Sequence, residues 1–522
     1  MEKNLSLFLL IALMLLGSCK EQPEPKEQKN TKWTFEEPNE TKQTIGGHEY
    51  VDLGLPSGTL WATCNVGAQS PEDPGDYFAW GEIQPKSEYS WSTYKYGSSS
   101  TEITKYGEDV NDGLNGYSKV MLDAEDDAAT ANLGSLWRMP TDGELIELLE
   151  TCLCGWTEIN YEAGMKFSGP NGNSLFLPAA GRIVGTLNSS VGRYCIYWSK
   201  TAHGSGTGGT IYLNEGSVLL STLSYPRIYG MSVRPVVDDN LSISATSKCM
   251  PAKGGTFSVS VDTKVSWTVS ANQPWVTFST NGENGSGSVE VHVAANEANV
   301  SDNATVTVKT SLGNRVQTLV ISRAATIGGH DYVDLGLPSG TLWAISNVGA
   351  NSVEDYGDYF AWGESLPKSE YSWSTYQYGI INQKLTKYCN MSSYGLDGFV
   401  DNKMALETLD DVAATWGISW RMPTVDELRE LVAECTSVWT TQGGVHGRLY
   451  TGSNGNFIFL PATGCYQEET MCEGVGVEGD YWSSTLHKVP DKAGSLYIDD
   501  SRTVFYARYR TNGLAVRAVV RQ

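Results

Sequence analysis

The sequence contains few basic residues for its length. Its 522 residues include 37 lysines and arginines against 60 aspartates and glutamates, so the formal net charge is −23. A basic face is needed to displace phosphate counterions from nucleic acid, and also to dock on an anionic lipid surface. The charge balance therefore excludes both as the basis of function. Because 19% of the residues are charged and 11% are aromatic, the acidity does not indicate disorder.

The N-terminus lacks an apolar run long enough to cross a membrane. The run at residues 7–16 has ten residues, whereas a transmembrane helix needs about 20. With Lys3 ahead of it, the run is typical of a signal peptide. The sequence Leu-Gly-Ser-Cys at 16–19 resembles a bacterial lipobox. The resemblance implies that residues 1–18 are removed and that Cys19 is lipidated; an ordinary secretory signal is the alternative.

The segment after this cysteine also lacks apolar periodicity. Residues 19–44 are rich in Lys, Glu, Gln, Thr and Pro, a composition typical of a flexible tether. Lys20 and Glu21 resemble the short charged export signals of Bacteroidetes surface lipoproteins. The resemblance implies a protein of the outer membrane that faces the cell exterior and contacts the membrane through its lipid anchor only.

Two long segments of the sequence are copies of one another. Residues 45–97 and 327–379 are identical at 44 of 53 positions, which indicates a recent duplication. Shorter matches follow in the same order: Trp-Arg-Met-Pro-Thr at 137–141 and 420–424, Phe-Leu-Pro-Ala at 176–179 and 459–462, Tyr-Trp-Ser at 197–199 and 481–483, and Val-Arg at 233–234 and 516–517. The period is too long for a solenoid. We therefore predict a first copy at 45–238, an unrelated domain at 239–325 and a second copy at 326–522.

The middle segment alternates apolar and polar residues over short runs, as at 256–261, 288–293 and 304–309. Alternation of period two between Gly, Asn and Ser turns predicts half-buried strands and an all-β, immunoglobulin-like sandwich. Trp267 and the Pro-Trp-Val-Thr-Phe run at 274–278 resemble the BACON domain of Bacteroidetes surface proteins. The resemblance implies either glycan or mucin binding or a spacer role.

Each copy contains one clear helix signal. In the first copy Thr141 stands at the N-cap position with Glu144 at the capping-box offset. The second copy has Thr424 and Glu427 at the same places. Most of the remaining sequence has β-rich, aromatic and glycine-punctuated patterns, so each copy is expected to be an α+β domain.

The shared motifs resemble the Fibrobacter succinogenes major paralogous domain, which is common in Bacteroidetes surface proteins. The matching stretches include Asp-Tyr-Phe-Ala-Trp-Gly-Glu at 76–82, Lys-Ser-Glu-Tyr-Ser-Trp-Ser-Thr-Tyr at 86–94 and the helix after residue 137. They extend over nearly all of both copies. The resemblance implies a C-type lectin-like fold, related to that of the formylglycine-generating enzyme, and implies no reaction, because fold does not determine function.

Aromatic residues supply the first candidate site. Six tryptophans recur in both copies, and most are expected in the core, since large rings usually fill the interior of such folds. The candidate ligand-binding patch comprises Trp80, Tyr89, Trp91 and Tyr94 in the first copy and Trp362, Tyr371, Trp373 and Tyr376 in the second. Such rings could stack on sugars.

Acidic loops supply the second candidate site. The carboxylates at Glu72, Asp73 and Asp76 recur at Glu354, Asp355 and Asp358. Clustered carboxylates on glycine-rich loops are typical ligands of Ca²⁺, the only cofactor that the sequence suggests. Solvated loop charges and turn caps are the alternative, since no EF-hand spacing is present.

No catalytic or disulfide framework is shared by the copies. No Ser-His-Asp or Cys-His grouping can be assembled from residues common to both. Apart from Cys19 there are nine cysteines, of which only Cys152 and Cys435 correspond; a local bridge between Cys465 and Cys472 remains open. We therefore predict non-catalytic binding or adhesion, with a glycan or glycoprotein as partner. A surface enzyme acting on polysaccharide or protein, and a structural subunit of a surface assembly, are the alternatives.

Overall fold

The computed structural model describes residues 43–107, 119–204, 206–218, 223–467 and 472–521. The predicted signal peptide and the lipidation site Cys19 lie outside the described residues, as does nearly all of the tether. The chain is multidomain and mostly β, with 43% strand and 9% helix. Residues 44–522 form one compact unit. No helix in the described ranges is both long and apolar enough to cross a membrane.

In its described residues the first copy is built from short strands and two α-helices. The helices are α1 (Ala128–Leu133) and α2 (Asp142–Thr151), with a 3₁₀ turn at Ala124–Asp126. The strands are β1 (Gln43–Ile45), β2 (His48–Asp52), β3 (Leu60–Ala62), β4 (Gly97–Ser99), β5 (Glu102–Ile103), β6 (Trp137–Arg138), β7 (Leu153–Ile159), β8 (Glu162–Ser168), β9 (Ser174–Pro178), β10 (Arg182–Val184), β11 (Leu187–Ser189), β12 (Tyr194–His203), β13 (Thr207–Asn214), β14 (Ser217–Val218), β15 (Leu223–Pro226) and β16 (Val236–Val237).

These strands form several small sheets. A five-stranded sheet has the order β1-β2-β3-β16-β6, so the closing strand lies between the third strand and the strand that precedes α2. A three-stranded meander, β7-β8-β9, follows α2. A further sheet contains β12, β13 and β14, with β15 paired to β13. Because the closing strand returns to this sheet, both ends of the copy lie in one sheet.

The middle segment is a two-sheet sandwich. Its strands are β17 (Ser242–Ile243), β18 (Ser247–Met250), β19 (Gly255–Asp262), β20 (Ser266–Ala271), β21 (Val276–Phe278), β22 (Gly282–Asn284), β23 (Gly287–Val293), β24 (Asp302–Thr310) and β25 (Val316–Arg323). The sheets have the orders β17-β19-β23-β21 and β18-β25-β24-β20-β22. One core contains alternate residues of both sheets, among them Val261 and Val291 from the first and Trp267 and Val306 from the second. The predicted alternation is thus confirmed as inward-facing positions.

The second copy repeats the architecture of the first. Its strands are β26 (Ala325–Ile327), β27 (His330–Asp334), β28 (Thr341–Ala344), β29 (Trp420–Arg421), β30 (Thr436–Gln442), β31 (Val445–Thr451), β32 (Phe457–Pro461), β33 (Cys465–Tyr466), β34 (Cys472–Glu473), β35 (Gly479–Leu486), β36 (Lys492–Ile498), β37 (Thr503–Tyr509) and β38 (Val519–Arg521). The helix α3 covers Val425–Glu434, and 3₁₀ turns lie at Leu396–Gly398, Thr408–Asp410 and Val412–Trp416. The sheet order β26-β27-β28-β38-β29 matches that of the first copy.

The helix signals are confirmed in both copies. The side chain of Thr141 accepts a hydrogen bond from the backbone N–H of Glu144, whose carboxylate accepts one from the backbone N–H of Thr141. Thr424 and Glu427 form the same capping box at α3. Leu145, Leu148 and Leu149 of α2 are buried, as the spacing predicts. These caps fix the start of each helix and hence the position of the groups around it.

The core explains most of the repeated tryptophans. The prediction that most belong to the core is confirmed, since four of the six pairs are fully buried: Trp61, Trp80, Trp137 and Trp198, with Trp343, Trp362, Trp420 and Trp482. The repeated arginine of the closing Val-Arg is buried as well, and Arg234 donates a hydrogen bond to Asn65 Oδ1 over 2.7 Å. Arg517 does the same to Asn347 Oδ1 over 2.9 Å. All nine cysteines of the described ranges are free, so the bridge between Cys465 and Cys472 is not formed.

The sandwich contacts both copies directly. Asn314 Nδ2 donates a hydrogen bond to the carbonyl oxygen of Gly58 in the first copy over 2.6 Å. Lys248 Nζ lies 2.6 Å from the carboxylate of Glu354 in the second copy. Cys249 is buried in the same core as Val333 and Phe457. These contacts show that the middle domain packs against both neighbouring copies, in addition to being covalently linked to them.

Candidate functional site

Three of the four predicted patch residues in each copy belong to a continuous chain of rings. In the first copy Trp91, Tyr94, Tyr96, Tyr106 and Trp80 follow one another edge to face, with centroid separations of 5.5 to 6.1 Å. The second copy has the same chain with separations of 5.1 to 6.0 Å, formed by Trp373, Tyr376, Tyr378, Tyr388 and Trp362. Such edge-to-face pairs stabilise a core beyond the burial of their area.

Burial removes most of this patch from the set of ligand-binding candidates. Trp80 and Trp362 are 0% exposed, and their indole N–H groups donate to the carbonyl oxygens of Ser199 and Ser483, each over 2.8 Å. A ring without an exposed face cannot stack on a sugar, so the expectation for these two tryptophans is wrong. The same correction applies to the buried tyrosines Tyr89, Tyr94, Tyr371 and Tyr376. Trp91 and Trp373 are partly exposed and keep the hypothesis open.

A buried aspartate binds the two central tyrosines of each ring chain. Asp126 accepts hydrogen bonds from Tyr96, from Tyr106 over 2.6 Å and from Lys105 Nζ over 2.6 Å. Burial alone would raise the pKa of this carboxyl, but the lysine and tyrosine donors outweigh it and lower the pKa to about 2. In the second copy Asp410 accepts from Tyr378, Tyr388 and Lys387. In each copy the lysine neutralises the buried carboxylate and the tyrosines satisfy its hydrogen bonds, so the network has a structural role.

The carboxylates predicted to bind calcium do not converge. Asp73 accepts from the backbone N–H groups of Gln69 and Gly75, and Asp355 accepts from those of Asn351 and Gly357. These are turn caps, as the alternative interpretation expects. Glu72 accepts from Asn160 over 2.6 Å, and Glu354 is paired with Lys248 of the sandwich. No set of three ligands from Glu72, Asp73, Asp76, Glu354, Asp355 and Asp358 is present in the part of the chain that the structure describes.

One group of three carboxylates does converge within the described residues. Asp123, Glu125 and Asp126 place ligand atoms within 4.8 Å of one another. Lys105 Nζ lies within ion-pair distance of all three, at 3.2 Å from Asp123, 3.2 Å from Glu125 and 2.6 Å from Asp126. The ammonium already occupies the place where a cation would bind, which argues against a metal there.

A cleft of about 600 Å³ opens beside the N-terminus of α2. Its lining includes Ser57, Met121, Arg138, Thr141, Glu144, Glu147, Lys200 and Asp238. The carboxylates of the cleft accept local hydrogen bonds. Arg138 donates two to Glu144, over 2.7 and 2.5 Å, and the backbone N–H of Ser57 donates one to Glu147 over 2.7 Å. The cleft is therefore concave, polar and held by ion pairs, but its acids are already engaged.

An equivalent cleft of about 510 Å³ opens beside the N-terminus of α3. Six lining positions correspond between the copies, as the matched motifs and sheet registers show. They are Ser57 and Ser339, Met121 and Ala405, Arg138 and Arg421, Thr141 and Thr424, Glu144 and Glu427, and Lys200 and Ser484. Both clefts thus recur at one place in the fold, where the capping box positions their polar groups.

The two clefts differ in charge. The ammonium of Lys200 has no hydrogen bond or ion pair to any described residue, and burial lowers its pKa. In the second copy the corresponding Ser484 is neutral, and its hydroxyl donates to the carbonyl oxygen of Pro423 over 3.3 Å. A sequence search restricted to residues shared by both copies misses Lys200, because this lysine occurs only in the first copy.

A surface row of tyrosines is not indicated by the sequence. Tyr194, Tyr212, Tyr225 and Tyr229 are partly exposed, and successive ring centroids lie 5.0, 6.3 and 6.5 Å apart. The first three come from β12, β13 and β15 of one sheet. The guanidinium carbon of Arg182 lies 4.9 Å from the centroid of Tyr225 and 5.4 Å from that of Tyr229. We call these five residues the tyrosine–arginine surface.

Two histidines correspond in the structure, although the matched sequence motifs do not include them. His203 ends β12, and His487 directly follows β35, the corresponding strand. The motif Trp-Ser-x-Thr-x-His at 198–203 and 482–487 would have shown the match. His203 lies against the carboxylate of Asp142, which also accepts from Ser199. Val425 stands at the place of Asp142 in the second copy, so this polar grouping is not repeated.

The fold and the clefts thus define a multidomain, mostly β protein with two copies of one cleft-bearing unit. No family model and no curated protein sequence matches the chain. Among solved structures, 17% of the chain matches 19% of a Bacteroides ovatus GH5 xyloglucanase in complex with a XXXG heptasaccharide, at 22% identity and a TM-score of 0.16. The chain spans about a fifth of that protein, and a likeness of this size carries no argument about fold or function.

Proposed function

We propose that this chain is a non-catalytic binding protein of the bacterial cell surface, with one ligand cleft in each copy and a glycan or glycoprotein as ligand. One observation carries the proposal: clefts of about 600 and 510 Å³ open at equivalent places in both copies. These volumes lie within the range of about 300–1,000 Å³ that is common for ligand pockets. A concave polar site that persists through duplication favours a binding role.

The chemistry of the clefts favours binding over catalysis. Acid–base catalysis needs a carboxyl or imidazole free to exchange a proton with the substrate. In the first cleft Glu144 is held by Arg138, and Glu147 is held by Ser57. In the second, Arg421 donates to Glu427 over 2.7 Å. Asp411, which also lines the second cleft, accepts hydrogen bonds from the backbone N–H groups of Ala413 and Met422. These acids therefore fix the walls of the site, and the ligand would meet backbone groups, hydroxyls and the ammonium of Lys200.

The arrangement of the domains supports a role for two clefts in one chain. We infer a C-type lectin-like fold for both copies from the family motifs, and a spacer role for the BACON-like sandwich. The sandwich contacts the first copy through Asn314 and the second through Lys248 and Cys249. Two clefts on one chain raise avidity only when a ligand can reach both, which suits a repetitive polymer such as a glycan.

The N-terminal sequence supports a proposal for the position of the protein in the cell. We propose that Cys19 is lipidated and that residues 19–44 tether the domains to the outer membrane, outside the cell. Fatty-acid labelling in the native host tests this proposal. We expect a Cys19→Ser variant to lose the label and to leave the membrane fraction, and retention of both would contradict lipidation.

Binding of the full chain to a glycan array tests the function itself. Met121→Trp and Ala405→Trp add bulk inside the first and second clefts, and we expect the double variant to lose the signals seen with the wild type. The matched control adds two tryptophans at Leu153 and Val438, which are exposed and outside both clefts. Equal binding by the cleft variant and the wild type would contradict a role for the clefts.

A further inference from the structure

The tyrosine–arginine surface contains a cation without a partner. The Nε of Arg182 is buried and has no hydrogen-bond acceptor, and its guanidinium forms no ion pair with any described residue. Arginine remains charged under all ordinary conditions, and a buried donor without an acceptor is costly. The tyrosine rings stabilise the cation through their faces, but they supply no negative charge. The guanidinium of Arg182 therefore lacks a negatively charged partner among the described residues.

The second copy provides the comparison within the same chain. There Arg508 takes the place of Tyr225, and its guanidinium carbon lies 4.9 Å from the ring centroid of Tyr506. This arginine donates a hydrogen bond to the buried carboxylate of Asp480 over 2.6 Å. In the first copy Ile196 occupies the position of Asp480. Ile196 pairs across the sheet with Tyr212, as Asp480 does with Tyr497 in the second copy. The second copy thus neutralises its cation internally, whereas the first does not.

We propose that the tyrosine–arginine surface of the first copy binds an acidic saccharide, with the guanidinium of Arg182 donating hydrogen bonds to the ligand's carboxylate or sulfate group. This inference rests on the proposed function, but it places a second kind of site outside the two clefts, whose linings share no residue with it. Because Nε is buried, the two terminal Nη groups of the planar guanidinium are the donors that would form two parallel hydrogen bonds to such a group. The partly exposed tyrosines add amphipathic contact area beside it.

The choice of a saccharide follows from the surroundings of the arginine. Tyrosine presents an apolar ring and a polar hydroxyl, which suits a ligand that has both C–H faces and hydroxyl groups. The chain as a whole has a net charge of −23, so a polyanion is repelled except where a cation is left free. Recognition should therefore be local, with one charged group bound per site, and it should weaken with salt as an exposed ion pair does.

Binding of the full chain to four polymers tests this proposal. The probes are polygalacturonate for carboxylate, dextran sulfate for sulfate, neutral dextran, and poly-glutamate for an acidic peptide. We expect at least one acidic saccharide to bind, Arg182→Gln to weaken it at least tenfold, and Arg182→Lys to weaken it less. The matched control is Arg502→Gln, since Arg502 also stacks on a tyrosine, at 5.4 Å from Tyr497, but has its own carboxylate in Asp499 at 3.0 Å. We expect this control to bind as the wild type does.

The outcomes separate this inference from the proposed function. Unchanged acidic-saccharide binding in Arg182→Gln would overturn the inference, as would equal binding of neutral dextran or tighter binding of poly-glutamate. If acidic polymers fail to bind while neutral glycans still bind in a cleft-dependent manner, the inference falls and the proposed function stands. If no glycan binds at all, both fall. A thermal melt of each variant shows that a loss of binding is not a loss of folding.

Discussion

Arg508 donates a hydrogen bond to the buried carboxylate of Asp480 over 2.6 Å. Burial raises the pKa of Asp480 to about 6, although the arginine opposes the increase. In the first copy the same two positions hold Tyr225 and Ile196, which form no ion pair. The sheet of the second copy therefore contains an ion pair where the equivalent sheet of the first copy contains a tyrosine and an isoleucine. The residues of the first copy thus indicate which substitutions measure the contribution of the pair.

Replacing both members of this pair should cost less than replacing one. Removing one partner of a buried pair leaves a charge uncompensated and costs about 3–5 kcal/mol. We expect losses of this order in the free energy of unfolding for Asp480→Ile and for Arg508→Tyr. The double variant, which copies the first domain, should lose less than the sum. A double-mutant cycle in urea measures the coupling, and strict additivity would contradict it.

Two matched glycines should tolerate no side chain. A Cβ at Gly169 would lie 2.1 Å from the carbonyl oxygen of Leu53, and one at Gly452 would lie 1.9 Å from that of Leu335. We expect Gly169→Ala and Gly452→Ala each to lower the free energy of unfolding by about 1–3 kcal/mol through overpacking. Thermal melts monitored by circular dichroism measure the effect.

The control for these variants is Gly155→Ala. No atom lies within 4 Å of a Cβ at this position, and the second copy has Val438 there. We expect no loss of stability. A Gly155→Ala variant as unstable as Gly169→Ala would show that the close approach of the Leu53 carbonyl oxygen is not the cause.

The capping boxes should contribute equally in both copies. Thr141→Ala and Thr424→Ala each remove the hydroxyl that accepts a hydrogen bond from the third residue of the helix. We expect each to cost about 1 kcal/mol, with Thr→Ser at the same positions close to neutral. Urea unfolding monitored by tryptophan fluorescence measures the change. Equal stability of the alanine and serine variants would contradict the cap.

The stability of the second copy should depend on pH with opposite signs in two ranges. Burial raises the pKa of Asp411 to about 6, so the folded state holds a proton that the unfolded state releases near its usual value. This contribution is present below about pH 4 and is lost as the pH rises to 6, by up to about 3 kcal/mol. For Glu427 burial is outweighed by Arg421 and Thr424, and its pKa falls to about 2. Its contribution is present above about pH 4.5 and is lost as the pH falls to about 2.

The melting temperature of the second copy between about pH 2 and 7 measures this profile. We expect a maximum between about pH 4 and 5, and a smaller decline toward pH 6 in Asp411→Asn than in the wild type. The unfolding transition of the second copy is identified as the one that shifts in Thr424→Ala. An unchanged decline in Asp411→Asn would show that Asp411 is not the group that titrates.

Local signals in the sequence predict part of this structure. Thr141 and Glu144 define the start of α2 because a capping box acts within one helical turn. The strands of the sandwich follow from alternation, since Val261 and Val291 face one core. The repeat predicts matched tryptophans, and four pairs prove to be core. In each case the information is short-range or is present twice.

The candidate sites depend on contacts that the sequence does not display. The glycine, serine and tyrosine around Trp80 in sequence favour a surface position, yet its indole N–H is satisfied by Ser199, far along the chain. The tyrosine–arginine surface forms only when β12, β13 and β15 pair in register. Its residues Tyr194 and Tyr225 do not recur in the second copy, so a search for shared residues could not find them.

The number of ligands bound by one chain tests the central claim most directly. Isothermal titration of the full chain, with a short neutral oligosaccharide taken from the array hits, gives this number. We expect two sites in the wild type, one in Met121→Trp or Ala405→Trp alone, and none in the double variant, with two retained when tryptophan is placed at Leu153 and Val438. Two sites in the double cleft variant would contradict the claim that the duplicated clefts bind the ligand.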